Sequence, residues 1–128
     1  MKDSLKSVSD VMRSGVVTIS EATTLESAAR VMRAHGVHGV LVVADDGELL
    51  GWVTARGLLQ HHGEDWRRRN VGEAVSEPCV RVASSSPVPT AIAAMLDAGA
   101  THLVVIRPGS RMPDGVVSDL DLVAHLSR

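Results

Sequence analysis

Leu50-Gly51-Trp52-Val53-Thr54-Ala55-Arg56-Gly57-Leu58 returns 64 positions later as Asp114-Gly115-Val116-Val117-Ser118-Asp119-Leu120-Asp121-Leu122. Gly51 meets Gly115, Val53 meets Val117 and Leu58 meets Leu122. Upstream the offset is 63: Val8 meets Val71, Val17 meets Val80, Ala28 meets Ala91, Met32 meets Met95, Gly36 meets Gly99 and Val42 meets Val105. Few residues are identical, but the features keep their order. A chain written twice in this way builds one unit twice, and that decides the fold.

Each copy opens with a short apolar strand, over 16–19 and over 80–82. A helix follows. In the first copy Thr23 and Glu26 form a capping-box pattern; in the second, Ser86 can cap and Pro87 suits the first helical position. Leu25, Ala28, Ala29 and Met32 form one apolar stripe at helical spacing, and Val88, Ala91, Ile92 and Met95 form the other. Gly36 and Gly99 stand where a left-handed C-cap belongs. The unbroken apolar runs 40–43 and 103–106 suit strands buried on both faces. Turn residues come next, Asp45-Asp46-Gly47 and Pro108-Gly109-Ser110, then a third strand at 50–53 and 115–117. A last helix begins at Thr54 or Ser118. The expected class is α/β (α+β), two pseudo-symmetric β-α-β-β-α repeats. One repeat alone buries little core, so the two copies are expected to pack sheet to sheet. Residues 1–62 are read as the first repeat with an N-terminal segment, 63–70 as a linker and 71–128 as the second repeat.

Composition narrows the function. Of 128 residues 45% are hydrophobic, which excludes general disorder. There are two Trp and no Phe or Tyr, so the core is aliphatic and no aromatic platform exists for stacking single-stranded nucleic acid. Thirteen Lys and Arg against 15 Asp and Glu leave a net charge of −2, without the basic excess of a nucleic-acid-binding surface. Arg67-Arg68-Arg69 is the local exception and reads as a solvated linker, or as a phosphate or acidic-partner contact. Cys79 is the single cysteine, so no intrachain disulfide forms. Residues 1–7 lack the apolar stretch of a signal peptide, and no run approaches the roughly 18 residues that span a bilayer. The expectation is a cytoplasmic protein with no membrane partner.

These features together resemble the tandem CBS (cystathionine beta-synthase) domain pair, the Bateman module. The resemblance covers the chain from about Val8 to Leu126. It rests on Val11-Met12 with Val17-Thr18-Ile19, on residues 28–32, and on Val40-Leu41-Val42-Val43 followed by Asp45-Asp46-Gly47. It rests also on Leu50-Gly51-Trp52-Val53-Thr54 and on residues 115–122. It implies a regulatory sensor, not an enzyme, with no required cofactor. Such pairs hold adenosine-containing ligands in crevices between the repeats: AMP, ADP, ATP or S-adenosylmethionine. It implies a homodimer, and an effector protein met as a separate partner.

The motif most telling within that resemblance is Gly-x-x-Ser/Thr-x-x-Asp. The hydroxyl and the helix N-terminal amides can hold a phosphate, and the Asp can accept both hydroxyls of a ribose. Gly115, Ser118 and Asp121 complete it. The first repeat keeps Gly51 and Thr54 but has Gly57 in place of the Asp, with Arg56 beside it. One working site is therefore expected in the second repeat, with Thr54 and Arg56 marking a degraded one. By the same resemblance adenine would lie near Val80 and Val116, with backbone contacts at Ala100 and Thr101, and His38 would reach the phosphate. Leu41 and Val104 replace the Pro usual in the middle strand. The plain alternative is that Ser118 and Asp121 only cap a helix, and that Val80, Val116 and Ala100 are core.

Rival constellations are weak. His35-x-x-His38 and His61-His62 have no third ligand at metal spacing, and His35 is explained by the helix C-terminus. Asp119 and Asp121 point to different faces of a helix, poor geometry for a shared cation or for acid–base work. Cys79, after a Pro, reads as a buried inert thiol. No P-loop, His-Glu-x-x-His or Gly-x-Ser-x-Gly is present. Two readings remain: a nucleotide sensor, and a ligand-free protein-interaction or dimerisation module.

Overall fold

A computed structural model describes residues 6–63 and 65–127. Residues 1–5, part of the 1–7 segment read for a signal peptide, lie outside it, as do Glu64 of the expected linker and Arg128. The described residues form a mixed α/β chain: β1 (Arg13–Ser14), β2 (Thr18–Ser20), α1 (Leu25–His35), β3 (Gly39–Val43), β4 (Leu49–Thr54) and α2 (Ala55–Gln60), then β5 (Arg81–Ala83), α3 (Val88–Ala98), β6 (His102–Ile106), β7 (Pro113–Ser118) and α4 (Asp119–Leu126). Every expected strand and helix is found, most bounds moving by one or two residues. β1 was not foreseen.

The chain divides into two compact units. One is Val17–Cys79; the other is Val80 onward together with the segment ending at Val16. The sequence repeats and the compact units therefore differ: each repeat's leading segment packs in the other repeat's unit.

In the first unit the sheet order is β2-β3-β4, with β2 parallel to β3 and β4 antiparallel to it. Helix α1 makes the crossover between the parallel strands, as that connection requires. Ile19, Leu25, Ala28, Met32, Val40, Val42, Val53 and Leu58 form its core, joined by Val71 and Ala74 from the segment that leads into the second repeat. The second unit repeats this as β1-β7-β6-β5. Its core is Val82, Val88, Ala91, Met95, Leu103, Val105, Val117 and Leu122, joined by Val8. Val8 is the equivalent of Val71, and both are fully buried.

The leading segments also take over part of the helix capping. Lys6 carbonyl accepts the first amide of α3, Val88 N–H, at 3.1 Å, and Arg69 carbonyl accepts Leu25 N–H of α1 at 2.9 Å. In return Val8 N–H donates to Ser86 carbonyl and Val71 N–H to Thr23 carbonyl, both at 2.8 Å. Two expected caps are corrected in consequence. Thr23 is held in the turn before α1, and Thr24 is the N-cap, its side chain accepting Ser27 N–H at 3.1 Å. Glu26 pairs instead with Arg30 and Arg67, each at 2.6 Å. At α3 the N-cap is Pro87 and no side chain caps; the backbone of the leading segment replaces Ser86. Gly36 and Gly99 are the left-handed C-caps expected of them.

Candidate functional site

The second unit contains the complete motif, and each of its residues has a local cause. Gly115 lies in β7 where β1 crosses it, paired with Ser14. A Cβ at Gly115 would stand 2.5 Å from Arg13 carbonyl oxygen and 2.7 Å from Met12 Sδ, so the close approach of β1 admits only glycine. Gly51 meets the same demand in the first unit: a Cβ there would lie 2.5 Å from Glu77 carbonyl oxygen, and its φ of +141° is one that favours glycine.

Ser118 ends β7 and caps α4. Its hydroxyl accepts Asp121 N–H at 3.3 Å, and Asp121 Oδ2 accepts Ser118 N–H at 2.9 Å. This reciprocal pair is a capping box. It fixes the carboxylate through Oδ2 and leaves Oδ1 for a second partner. Arg13 Nε donates to that oxygen at 3.2 Å. Arg13 arrives from β1, whose ladder sets it opposite Val116. The Arg13 side chain is 65% exposed and the Asp121 side chain 12%.

The helix amides expected to hold a phosphate each have an acceptor within the chain. Asp119 N–H donates to Thr101 carbonyl at 3.0 Å, Leu120 N–H to Asp119 Oδ1 at 2.8 Å, and Asp121 N–H to Ser118. Thr101 is thereby tied to the start of α4. Ala100 is buried, its N–H closing the end of α3 on Met95 carbonyl at 3.1 Å. Val80 carbonyl accepts Val104 N–H at 2.9 Å, and Val116 faces Val104 across the β6–β7 ladder. Val80 and Val116 thus flank one residue of β6. Val80, Ala100, Thr101, Val116, Ser118 and Asp121 all belong to this unit.

His38, Thr54 and Arg56 belong to the first unit. His38 is exposed, and its carbonyl accepts Ala55 N–H at 2.8 Å, as Thr101 does for α4. Thr54 caps α2, accepting Gly57 N–H at 3.0 Å. Arg56 is exposed. Where Asp121 would have its counterpart, a Cβ on Gly57 would meet Ser76 Oγ at 3.0 Å and Thr54 Oγ1 at 3.3 Å. Ser76 is the repeat equivalent of Arg13, 63 positions on. One unit sets Arg against Asp; the other sets Ser against Gly. Arg13 was missed because only the exchange of leading segments brings it to Asp121.

The other candidates resolve locally. His35 Nδ1 lies 3.0 Å from Val31 carbonyl oxygen and His62 Nδ1 lies 2.6 Å from that of Leu59. Among the described residues no three His, Cys, Asp or Glu side chains converge on a metal-sized site. Cys79 is half-buried rather than buried. No helix among the described residues is long and apolar enough to cross a membrane.

Residues 8–64 and 71–128 each match the CBS domain family, and the chain belongs to it. An uncharacterised protein of Methanopyrus kandleri is 28% identical over 120 residues, covering 91% of this chain and 61% of that protein. The chain thus spans about three fifths of that relative's length. Hypoxic response protein 1 of Mycobacterium tuberculosis is 26% identical over 120 residues, 91% of this chain and 82% of that one. Among solved structures, a CBS-domain containing protein from Agrobacterium tumefaciens superposes with a TM-score of 0.82 at 24% identity, covering 98% of this chain and 97% of that one. A CBS domain pair in complex with 5′-methylthioadenosine and S-adenosyl-L-methionine gives 0.83 at 16%, covering 96% and 97%. The CBS domain of a bacterial CNNM/CorC family Mg2+ transporter in complex with ATP gives 0.84 at 19%, covering 98% and 90%. At these identities the likeness is one of fold.

Proposed function

We propose that this chain is a regulatory module that binds an adenosine-containing ligand in its second unit and signals occupancy to a separate partner protein. One observation carries the reading: a family member retains an intact Gly-x-x-Ser-x-x-Asp whose carboxylate is fixed on one oxygen by Ser118 N–H and meets Arg13 Nε with the other. Two proteins of the same fold were solved with such ligands, one with ATP and one with 5′-methylthioadenosine and S-adenosyl-L-methionine. Asp121 accepts the ribose hydroxyls, Val80 and Val116 border the adenine, and the backbone at Ala100 and Thr101 completes its edge. The module catalyses nothing, and it acts in the cytoplasm as a homodimer.

Calorimetric titration with AMP, ADP, ATP and S-adenosylmethionine tests this. At least one compound is expected to bind, and Asp121→Asn to weaken it by roughly tenfold or more, since a charge-assisted bond becomes a neutral one. A second reading, a ligand-free interaction module, draws support from Leu96, Leu120, Val123 and Leu126, exposed on α3 and α4. It prevails if no adenosine compound at millimolar concentration binds or moves the melting temperature by one degree.

A further inference from the structure

The Arg13–Asp121 pair bears on which ligands the second unit selects. Three facts constrain it. The amides of Asp119, Leu120 and Asp121 already have acceptors, so the start of α4 has no spare first-turn donors for a phosphate. Arg13 reaches Asp121 through Nε, and its side chain is 65% exposed, so the guanidinium sits beside the carboxylate without being enclosed. Its position is imposed by the backbone: β1 pairs with β7 and presses on Gly115. Arg13 is therefore a placed cation, despite its exposure.

The first unit supplies an independent comparison. There both members of the pair are absent together, Ser76 standing for Arg13 and Gly57 for Asp121. An aspartate kept only as a helix cap has no need of an arginine, because the capping box uses Oδ2 and Arg13 uses Oδ1. An exposed ion pair contributes little to stability, so fold stability is a weak reason for the pair.

We infer that Arg13 is a specificity-determining residue of the proposed site, supplying the positive charge that selects adenosine ligands carrying an anionic group over uncharged ones. Asp121 takes the hydroxyls, and the guanidinium beside it takes the anion by forked N–H donation, the geometry for which arginine is suited. The inference rests on the nucleotide-binding reading above.

AMP and adenosine differ only in the phosphate, so their affinity ratio reads Arg13 directly. Calorimetry on the full chain is expected to show AMP bound at least about tenfold more tightly than adenosine, the size of one charge-assisted hydrogen bond at a partly solvated site. Arg13→Gln should lower AMP affinity roughly tenfold and leave adenosine within about twofold. Arg13→Lys, which keeps the charge and loses the fork, should give an intermediate ratio, and it serves as the deciding variant should Arg13→Gln fold poorly. Equal losses for AMP and adenosine would reduce Arg13 to a prop for β1 and overturn the inference, as would an unchanged ratio in both variants; the nucleotide reading survives either result. Binding of neither compound to the unaltered chain, nor of any other adenosine ligand, overturns the nucleotide reading and this inference with it.

Discussion

Asp121 does two things with one carboxylate, and substitutions can separate them. Oδ2 closes the capping box with Ser118, and Oδ1 holds Arg13. Asp121→Ala removes both. The cap is worth about 0.5–2 kcal/mol and the exposed pair about 0–1 kcal/mol. Urea unfolding should therefore show the ligand-free protein destabilised by about 0.5–3 kcal/mol, alongside lost binding. Asp121→Asn keeps an oxygen for Ser118 N–H, so its stability should stay within about 0.5 kcal/mol while binding still falls; equal destabilisation by both would mean the charge, not the cap, holds α4. Gly115 and Gly57 give a second contrast. Gly115→Ala drives a Cβ to 2.5 Å from a backbone oxygen of β1, and a strand has to move. A loss of about 2–3 kcal/mol is expected, the upper range for overpacking. At Gly57 the nearest atom is Ser76 Oγ at 3.0 Å, a side chain that can turn aside. The crowding is offset by the helix preference for Ala, about 1 kcal/mol over Gly, so Gly57→Ala should unfold within about 1 kcal/mol of the parent.

The exchange of leading segments is the feature of the elements with the widest consequences. Val8 and Val71 are buried equivalents, each seated in the other repeat's unit. Val8→Ala should cost about 2 kcal/mol through lost burial and a residual cavity. Hydrogen exchange is expected to speed up first at the amides of β5, β6 and β7, because local opening follows the unit that lost its contact. Val71→Ala should do the same to β2, β3 and β4; the opposite assignment would mean that the segments stay with their own repeats. What the sequence could and could not reveal follows from the same geometry. Strand runs, helical stripes and the C-caps at Gly36 and Gly99 are local signals, and they were readable. So was the Gly115, Ser118, Asp121 spacing, since its cap is closed within four residues. The exchange was not readable, because Val8 and Val71 are equivalent positions and hydrophobic pattern is satisfied whichever copy each one joins. The errors at Thr23 and Ser86 share that origin: carbonyls of Arg69 and Lys6, distant in sequence, hold the first amides of α1 and α3. Arg13 escaped notice for the same reason, its partner being 108 positions away.

At the scale of the whole molecule, the distribution of apolar surface argues for self-association. Along α4, Leu122 and His125 are buried while Leu120, Val123 and Leu126 are 64%, 57% and 65% exposed. Positions three apart share a helix face, so these three make an outward stripe beside the buried one. Leu96, on neighbouring α3, is 75% exposed. Fully burying a large aliphatic side chain is worth about 1.5–3 kcal/mol. Four such residues on each of two copies, each about two thirds exposed, would gain on the order of 8–16 kcal/mol gross. Association costs roughly 4–15 kcal/mol in lost freedom, so a micromolar dissociation constant, about −8 kcal/mol, requires a gain near the top of the first range and a cost near the bottom of the second. The protein should scatter light as a dimer at about 100 µM and shift toward monomer on dilution below about 1 µM. Leu120→Glu, placing a charge in the stripe of both copies, should give a monomer at every concentration. The thermal unfolding of that monomer should lie close to the limit that the parent approaches on dilution, since the side chain contributes little to either core. A parent that is monomeric at high micromolar concentration would leave the stripe to a different protein, and the effector would then be the partner to seek on α4.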